Sequence, residues 1–403
     1  MITSGGRTVQ EGRLRNIEGK VFDLVIVGAG VAGASAAILA SQRGLSALLV
    51  ESQFFPRDKV CGGCLNQRAQ CFLQSIGLYD NIKSAGALVI DRLHVQINKY
   101  SSQWDVPSML SVRRSTLDQM LVDHAEHCGA TFVDGTRAKI QSIDSESNSQ
   151  HRVVLLKGTS NTTEPVSVLG KRIVVASGLS RSSLPISEEW PASVMENSRI
   201  GLHTLIPRDE VPESLASSVL GDKPLLHMLV GSAGYLGICD TDGGYVDLAA
   251  AMDPSAVRVA KDVGATVQQL LRECGVDSDF VRDLNWQSTP HLTRQSECVA
   301  KQNIFLLGDA TGYVEPFTGE GMSWALKGAE ALVPLLYQAN LSSDTKTAEK
   351  EWNLWITKHR NHRQRISRWV ARQSRQAERA KWVLRMCDWV PPLRNRLLHS
   401  IMT

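Results

Sequence analysis

The chain has 403 residues, of which 43% are hydrophobic and 21% charged, and its formal net charge at pH 7 is +3. These values are ordinary for a globular protein, and the length is enough for two or three structural units. The sequence has no apolar run of about 18 residues or more, which argues against a transmembrane helix. The eight cysteines are scattered along the chain, which argues against a disulfide framework.

The amino-terminal segment gives little indication of structure. Residues 1–20 are mostly polar and contain several glycines and arginines. They lack the apolar core of a secretory signal peptide. We therefore expect a disordered extension at 1–20 and a cytoplasmic protein.

The first strong pattern is a strand, a glycine-rich turn, a helix and a second strand. The apolar run 24–27 leads into Gly28, Gly30 and Gly33, spaced as G-x-G-x-x-G, and the second strand ends at Glu51. In such a unit the glycines permit the tight turn, the approach of a pyrophosphate and close packing of helix on strand. The helix N-terminus attracts phosphates, and the acid can accept hydrogen bonds from a ribose. The pattern favours dinucleotide binding over a glycine turn in an unrelated α/β protein.

A loop rich in cysteine and glycine follows this unit. Cys61 and Cys64 have C-x-x-C spacing and enclose two glycines. A structural zinc site would need a second pair of cysteine or histidine ligands at suitable spacing, and none follows. We therefore predict no metal site. Cys61 is either an active-site thiol or a small buried apolar side chain.

The middle of the chain alternates between strand and helix patterns. Residues 88–97 predict a strand, and residues 115–128 predict a helix. Residues 185–290 predict mainly strands and loops, with one helix over 256–274. We expect this last block to form a sheet that faces the substrate.

A second glycine-rich turn occurs near residue 308. An apolar strand ends there, a loop containing glycine and proline follows, and a helix is predicted over 325–339. A glycine-rich turn that enters a helix N-terminus suits an anionic or carbonyl-bearing ligand. The candidate ligand-binding residues of this segment are Gly308, Asp309, Pro316, Gly319, Glu320 and Gly321.

Three segments together resemble one flavoprotein family. The two glycine-rich turns, and between them Arg114 to Leu121 in the form Arg-x-x-x-Asp-x-x-Leu, are similar to elements of the FAD-dependent aromatic hydroxylases, flavin-dependent halogenases and geranylgeranyl reductases. The resemblance implies FAD as the cofactor. It implies that Asp309 binds the ribityl chain, that residues 316–321 lie along the isoalloxazine ring, and that Arg114 meets the phosphates or the ribityl chain.

The resemblance also implies the fold and its division. We expect an α/β protein with a Rossmann-like FAD-binding domain of the glutathione-reductase type, an inserted mixed β-sheet substrate domain and a C-terminal helical region. The expected boundaries are an extension at 1–20, FAD-binding segments at 21–85, 111–182 and 291–340, substrate-domain segments at 86–110 and 183–290, and a helical tail at 341–403.

The cysteine loop carries a more specific resemblance. Residues 59–63 read Lys-Val-Cys-Gly-Gly, which is similar to the Lys-x-Cys-Gly-Gly element of geranylgeranyl reductases and some hydroxylases. The resemblance implies that Cys61 lies beside the flavin and close to the substrate. Tyr235, in the middle block, is a second candidate. Either side chain could donate a proton, so Cys61 and Tyr235 are the candidate catalytic residues.

One departure from the family concerns the electron donor. The hydroxylases usually carry Ala-Asp-Gly before the substrate domain, associated with nicotinamide handling, whereas this chain has Ala176, Ser177 and Gly178. The replacement looks more like the halogenase branch. The reductant therefore stays open between NAD(P)H, another small reductant and a separate reductase.

The carboxyl-terminal tail is strongly basic. Residues 358–403 contain 12 Lys or Arg and two acids, a net charge of +10, interleaved with tryptophans that include Trp369, Trp382 and Trp389. Tryptophan and arginine at helical spacing suit a lipid–water interface, which would give peripheral membrane contact. The alternative is a docked helical pair with its tryptophans in the core. We predict no nucleic-acid binding, because no recognised binding module accompanies the basic stretch.

Together these patterns predict an FAD-dependent oxidoreductase that takes an apolar small molecule. The favoured reaction is monooxygenation of an apolar or aromatic substrate. The alternative is reduction of a prenyl or polyene double bond, as the cysteine loop suggests. A rival of another class is a non-catalytic flavoprotein that binds a partner or a membrane through its tail.

Overall fold

The computed structural model describes residues 12–142, 151–159, 164–185, 189–276, 278–315, 320–373 and 375–402. Within these ranges the side chains at 360–373, 377 and 399–402 are not described. The strands are β1 (Val21–Val27), β2 (Ala47–Val50), β3 (Cys64–Leu65), β4 (Leu88–Ile97), β5 (Tyr100–Ser111), β6 (Thr131–Val133), β7 (Thr136–Ile140), β8 (Arg152–Gly158), β9 (Val166–Val175), β10 (Ala192–Val194), β11 (Ile200–Pro207), β12 (Leu226–Val230), β13 (Gly234–Thr241), β14 (Tyr245–Met252), β15 (Gln287–His291), β16 (Arg294–Ser296), β17 (Ala300–Lys301), β18 (Ile304–Leu306) and β19 (Gly312–Tyr313).

The helices connect these strands and extend the chain at its carboxyl end. They are α1 (Val31–Ser41), α2 (Gln67–Ser75), α3 (Tyr79–Ser84), α4 (Arg114–His127), α5 (Glu213–Val219), α6 (Pro254–Ala260), α7 (Val263–Glu273), α8 (Gly321–Ser342), α9 (Thr345–Gln373), α10 (Ala377–Trp389) and α11 (Pro391–Met402).

The first large sheet is built around the fingerprint strand. β1 pairs in parallel with β2 and β9, β18 joins β9, and β6 joins β2. β7, β8 and β17 add antiparallel pairings to this parallel centre. β1, β2 and β9 are rich in branched apolar residues, as expected for parallel strands covered on both faces. Helices α1, α4 and α8 pack together beside the sheet.

The second large sheet is mixed and carries the middle block of the chain. Its strand order is β15-β11-β14-β13-β12-β4-β5-β3, and β12 and β4 are its parallel pair. One face packs on α7 in a separate apolar cluster. A third sheet of β10, β16 and β19 connects the two parts. The predicted fold, an α/β FAD-binding domain with an inserted mixed sheet and a helical end, is confirmed.

Two local predictions are wrong. Residues 12–17 are helical, not disordered, because Leu14 and Ile17 lie three positions apart on a helix and are buried in the main core. The single helix predicted over 256–274 is two helices. Lys261 adopts a left-handed conformation that ends α6, and the side chain of Asp262 accepts a hydrogen bond from the N–H of Ala265 at the start of α7.

The last two helices pack on the face of the second sheet that lies opposite α7. Leu384, Cys387 and Leu398 are buried against β4 and β5, which makes α10 and α11 a helical cap on this sheet. Among the described residues no helix is long and apolar enough to cross a membrane.

One carboxylate fastens this helical cap. Asp388 accepts hydrogen bonds from Tyr100 Oη at 2.7 Å, Ser102 Oγ at 2.5 Å and Trp104 Nε1 at 2.8 Å, all on β5. Burial alone would raise the pKa of Asp388, but the three hydrogen bonds outweigh it and lower the pKa. The carboxylate is therefore ionised near neutral pH and accepts all three bonds.

Asp388→Ala should loosen the helical cap without unfolding the first sheet. Hydrogen bonds to a charged group contribute roughly 1.5–3 kcal/mol each at most, and partial exposure reduces this figure. Because the folded pKa is lowered, the contribution is present near neutral pH and is lost as the pH falls through it. The protection of α10 amides from hydrogen exchange, measured against the intrinsic rate at each pH, should fall in the variant and in acid.

Glu378→Ala is the matched control, because Glu378 is exposed and only 3.9 Å from Lys381 on the same helix. Equal exchange rates for α10 in Asp388→Ala and Glu378→Ala would contradict the role assigned to Asp388.

Candidate functional site

The turn from β1 to α1 needs glycine at two positions. A Cβ added to Gly28, where φ is +104°, would lie 2.6 Å from the carbonyl oxygen of Ala176 on the neighbouring strand. A Cβ on Gly33 would lie 1.8 Å from the carbonyl oxygen of Gly28. Gly30 begins α1 and offers no side-chain cap. The first N–H groups of α1 are thus left for a ligand.

Three cationic side chains gather around Gly30. A Cβ placed on Gly30 would lie 3.4 Å from Arg114 Nη2, 3.6 Å from Arg57 Nη2 and 3.8 Å from Lys59 Nζ. Burial and the charge of Arg114 lower the pKa of Lys59. A buried group of like charges beside a helix N-terminus suits an anion with several oxygens, such as a diphosphate. We call Arg57, Lys59 and Arg114 the cationic cluster.

Two carboxylates orient the cationic cluster. Asp118 Oδ2 lies 2.7 Å from Arg114 Nη2 and 3.1 Å from Arg57 Nη1, and Glu51 Oε2 lies 3.2 Å from Arg57 Nη2. Glu51 also accepts a hydrogen bond from the N–H of Ala29 at 3.0 Å. Burial would raise the pKa of Glu51, but Arg57 and backbone N–H groups lower it overall. Glu51, which directly follows β2, is therefore ionised and lies beside the glycine turn.

The second glycine-rich turn lies on the other side of the same cavity. Gly308, with φ of +62°, and Asp309 follow β18, and the charge of Asp309 acts on Lys59. Gly308, Asp309 and Gly321 line the cavity, and Glu320 directly precedes α8. Pro316 and Gly319 lie outside the described residues.

A single cavity joins the two glycine turns to the second sheet. Its volume is about 490 Å³. One end is bounded by Gly30, Lys59, Arg114 and Asp309. The other end is apolar and is lined in part by the helical cap; its walls include Leu93, Val95, Trp104, Met109, Met228, Val230, Leu292, Val383, Leu384 and Leu397.

The cysteine loop lies between the two ends of the cavity. Gly63 has φ of +60°, and a Cβ there would be 2.9 Å from the carbonyl oxygen of Val112. A Cβ on Gly62 would be 3.4 Å from the Cβ of Ala249 on β14. Cys61 lines the cavity, and burial raises the pKa of its thiol although Arg114 acts in the opposite direction. Near neutral pH Cys61 is a protonated thiol rather than a nucleophilic thiolate.

Tyr235 lines the cavity from β13. It is buried, and the guanidinium carbon of Arg199 lies 5.6 Å from its ring centroid. Burial and the charge of Glu315 raise the pKa of Tyr235 well above its ordinary value. The phenol therefore keeps its proton under all ordinary conditions.

A buried charge network lies behind Tyr235. Arg199, on the chain just before β11, is 2.8 Å from Glu315 and 3.3 Å from Asp253. Arg375, which precedes the helical cap, is 2.9 Å from Asp253 and 3.7 Å from Glu315. The network thereby joins the chain after β19, the second sheet and the start of the cap.

Several site residues were not found by sequence reasoning. Arg57 and Lys59 lie beside Gly30, and Asp118 contacts Arg57 and Arg114. Asp118 was part of the recognised motif, but it received no role. Asp247 and His203 lie on β14 and β11, with Oδ2 of Asp247 3.2 Å from Nε2 of His203. An acid within the apolar strand 245–252 was the available signal. In the described ranges no group of three or more His, Cys, Asp or Glu residues is placed to hold a metal ion.

Comparison with known proteins agrees with this geometry. The model of an FAD binding domain family matches residues 21–342. A menaquinone reductase of Mycobacterium tuberculosis is 27% identical over 348 residues, covering 79% of this chain and 78% of the relative. Squalene epoxidase 3 of Arabidopsis thaliana is 24% identical and covers 87% of this chain and 67% of its own length.

Solved structures share the fold. The flavin-dependent brominase Bmp2 superposes with a TM-score of 0.76 at 18% identity, covering 95% of this chain and 93% of the brominase. PqsL of Pseudomonas aeruginosa, described as a probable FAD-dependent monooxygenase, has a TM-score of 0.68 at 15% identity, covering 89% and 98% of the two chains. The family match spans most of the sequence, and both glycine turns lie inside it. The chain therefore belongs to the FAD binding domain family and is an FAD-dependent oxidoreductase.

Proposed function

We propose that FAD lies between the two glycine turns, with its diphosphate at Gly30 within the cationic cluster. Glu51 would accept hydrogen bonds from the adenosine ribose, and Asp309 would accept them from the ribityl chain. The absence of room for a Cβ at the β1–α1 turn and the three converging cations support this arrangement. When bound, FAD supplies electron transfer and the activation of oxygen or of a hydride. The protein then has to orient the substrate and exclude water.

We further propose that the protein is a monooxygenase of an apolar small molecule. The observation that carries this proposal is the cavity, whose apolar end adjoins the proposed flavin site and is lined in part by the helical cap. Oxygen insertion requires a site from which water is excluded. The similarity to squalene epoxidase, named for a hydrocarbon substrate, and to PqsL supports the same reaction class.

Reduction of a carbon–carbon double bond is the second candidate. Cys61 favours it, because a thiol whose pKa is raised can donate a proton to a substrate carbon beside the flavin. The similarity to menaquinone reductase also supports a reductive reaction. Menaquinone, like squalene, carries an isoprenoid hydrocarbon, so both candidates imply an elongated apolar substrate.

The outer surface of the helical cap supports a further part of the proposal, contact with an anionic membrane. Trp382 and Trp389 are 63% and 80% exposed, and Val390 and Leu393 are also exposed. The opposite side of the same helices lines the cavity. Basic residues surround the exposed tryptophans, and their charge complements anionic lipid. An apolar substrate could then pass from the lipid to the cavity over a short distance.

Asp309→Ala should lose most of its FAD while the protein stays folded. A hydrogen bond to a charged group is worth roughly 1.5–3 kcal/mol, which is about a ten- to hundredfold loss of affinity. The flavin dissociation constant can be measured by fluorescence titration of the deflavinated protein. Asp123→Ala, at an exposed position of α4, is the control, and equal affinities in the two variants would remove Asp309 from the site.

The reaction itself is tested by product mass under labelled oxygen. With NAD(P)H or chemically reduced flavin supplying two electrons, a monooxygenase should add one labelled oxygen atom to an isoprenoid or alkyl-aromatic substrate, release the other as water and consume oxygen in step with product. Addition of two hydrogen atoms without the label would overturn monooxygenation in favour of double-bond reduction. Oxygen uptake that yields only hydrogen peroxide, with every substrate of this kind, would contradict both reactions.

Membrane contact is tested by co-sedimentation with vesicles. The protein should bind vesicles that contain anionic lipid at low salt and dissociate at high salt, since each basic residue near the surface contributes about 1 kcal/mol before screening. Replacing Trp382 and Trp389 with alanine should weaken binding further. Val259→Ala, at an exposed position of α6, is the control. Failure to bind anionic vesicles at low salt would contradict the proposal.

A further inference from the structure

Asp247 is the one acidic residue that lines the cavity from the second sheet among the described residues; the other acid of the lining, Asp309, belongs to the proposed flavin end. Asp247 is 3% exposed, and its Oδ1 has no hydrogen-bond partner within the described part of the chain. A buried polar atom without a partner costs about 1–3 kcal/mol, more if it is charged. Because this atom belongs to a residue that lines the cavity, a bound ligand could donate the hydrogen bond that Asp247 Oδ1 lacks.

The other oxygen of Asp247 is held from behind. His203 Nε2 lies 3.2 Å from Oδ2, and His203 is itself buried and is not part of the cavity lining. The imidazole therefore fixes the carboxyl group and leaves Oδ1 as the free acceptor. Burial raises the pKa of Asp247, whereas the contact with His203 acts to lower it.

Small residues surround Asp247. Gly63 of the cysteine loop approaches it, since a Cβ on Gly63 would lie 3.5 Å from Asp247 Oδ2, and Gly62 lies beside Ala249 on the same strand as Asp247. Gly237 and Ala249 line the cavity on the neighbouring strand and on β14. Side chains of this size leave a broad space at the sheet surface, which a flat ring can fill. Beyond it the walls consist of long and branched apolar side chains up to the helical cap.

We infer that Asp247 and His203 form a head-group subsite for a hydroxylated ring that carries a hydrocarbon chain. The ring hydroxyl donates its hydrogen bond to Asp247 Oδ1, and the chain lies in the apolar end of the cavity under the helical cap. The inference rests on the proposed use of this cavity for the substrate and adds its chemical class, a phenol or enol with a long apolar substituent.

The position of the subsite is consistent with this ligand. Asp247 lies against Gly63 of the cysteine loop, and that loop also carries Cys61, which contacts Arg114 of the cationic cluster. A ring bound at Asp247 is therefore next to the loop that separates the flavin end from the apolar end. Asp247 binds and orients the ring in this assignment.

The test is calorimetric titration of the FAD-loaded protein with three ligands of equal chain length: a 4-alkylphenol, its methyl ether and the alkylbenzene. Only the phenol can donate to Asp247. It should bind at least about tenfold more tightly than the other two, the difference expected for one hydrogen bond to a buried charged or polar group. Equal affinity of phenol and methyl ether for the unmodified protein would overturn the inference without any variant.

Variants then test whether Asp247 is the residue that makes the phenol bind more tightly. In Asp247→Leu the phenol should bind no more tightly than the alkylbenzene, while the alkylbenzene should bind as it does to the unmodified protein. If Asp247→Leu does not fold, Asp247→Asn, which keeps the contact with His203, should reduce the preference severalfold. Ser288→Ala removes another hydroxyl of the lining and should leave the preference unchanged. A preference that survives both Asp247 variants would overturn the assignment.

These measurements do not depend on turnover. If the unmodified protein shows no preference for the phenol but inserts oxygen, the subsite is rejected and monooxygenation stands. A phenol preference that depends on Asp247, together with a product that gains two hydrogen atoms, would support the subsite and reject monooxygenation.

Discussion

The close approach of three cations to one glycine is the constraint on which the rest of the site depends. Arg57, Lys59 and Arg114 converge on Gly30, and such like charges are costly to bury without anions. Asp118 and Glu51 offset part of this cost, and a diphosphate would offset more. The requirement explains why the loop after β2 returns to the helix N-terminus, which in turn brings the cysteine loop to the boundary between the two sheets.

The residues around Gly30 at one end of the cavity were largely predictable, because the sequence patterns that indicate them are local. Gly28, Gly33 and Glu51 belong to one strand–helix–strand unit, and their spacing along the chain already fixes their spacing in the fold. Asp309 was singled out for a similar reason, because it lies in a glycine-rich turn that follows an apolar strand. Lys59 belonged to a recognised motif but received no role, and Arg57 received none either, because a cation in a loop has no periodic pattern and only the folded chain brings it to Gly30.

The substrate end could not be derived from the sequence in the same way. Its walls come from strands and helices up to about 300 residues apart in the chain, and no local pattern records which of them meet. The tryptophans of the tail illustrate what the sequence could not predict. Trp352, in α9, is fully buried, as the docked-helix interpretation expects, whereas Trp382 and Trp389 are exposed. The composition of the tail alone could not distinguish the buried tryptophan from the exposed ones.

The contact of Arg375 with Glu315 has a consequence for the helical cap. Arg375 lies two residues before α10. Burial raises the pKa of Glu315, and the charges of Arg199 and Arg375 limit this rise. Displacement of the cap would remove one counter-charge and make proton uptake by Glu315 easier. Thermodynamic linkage is reciprocal, so protonation of Glu315 must favour an open cap to the same extent. Displacement of the helical cap and protonation of Glu315 are therefore thermodynamically coupled, so the pH would influence access to the cavity.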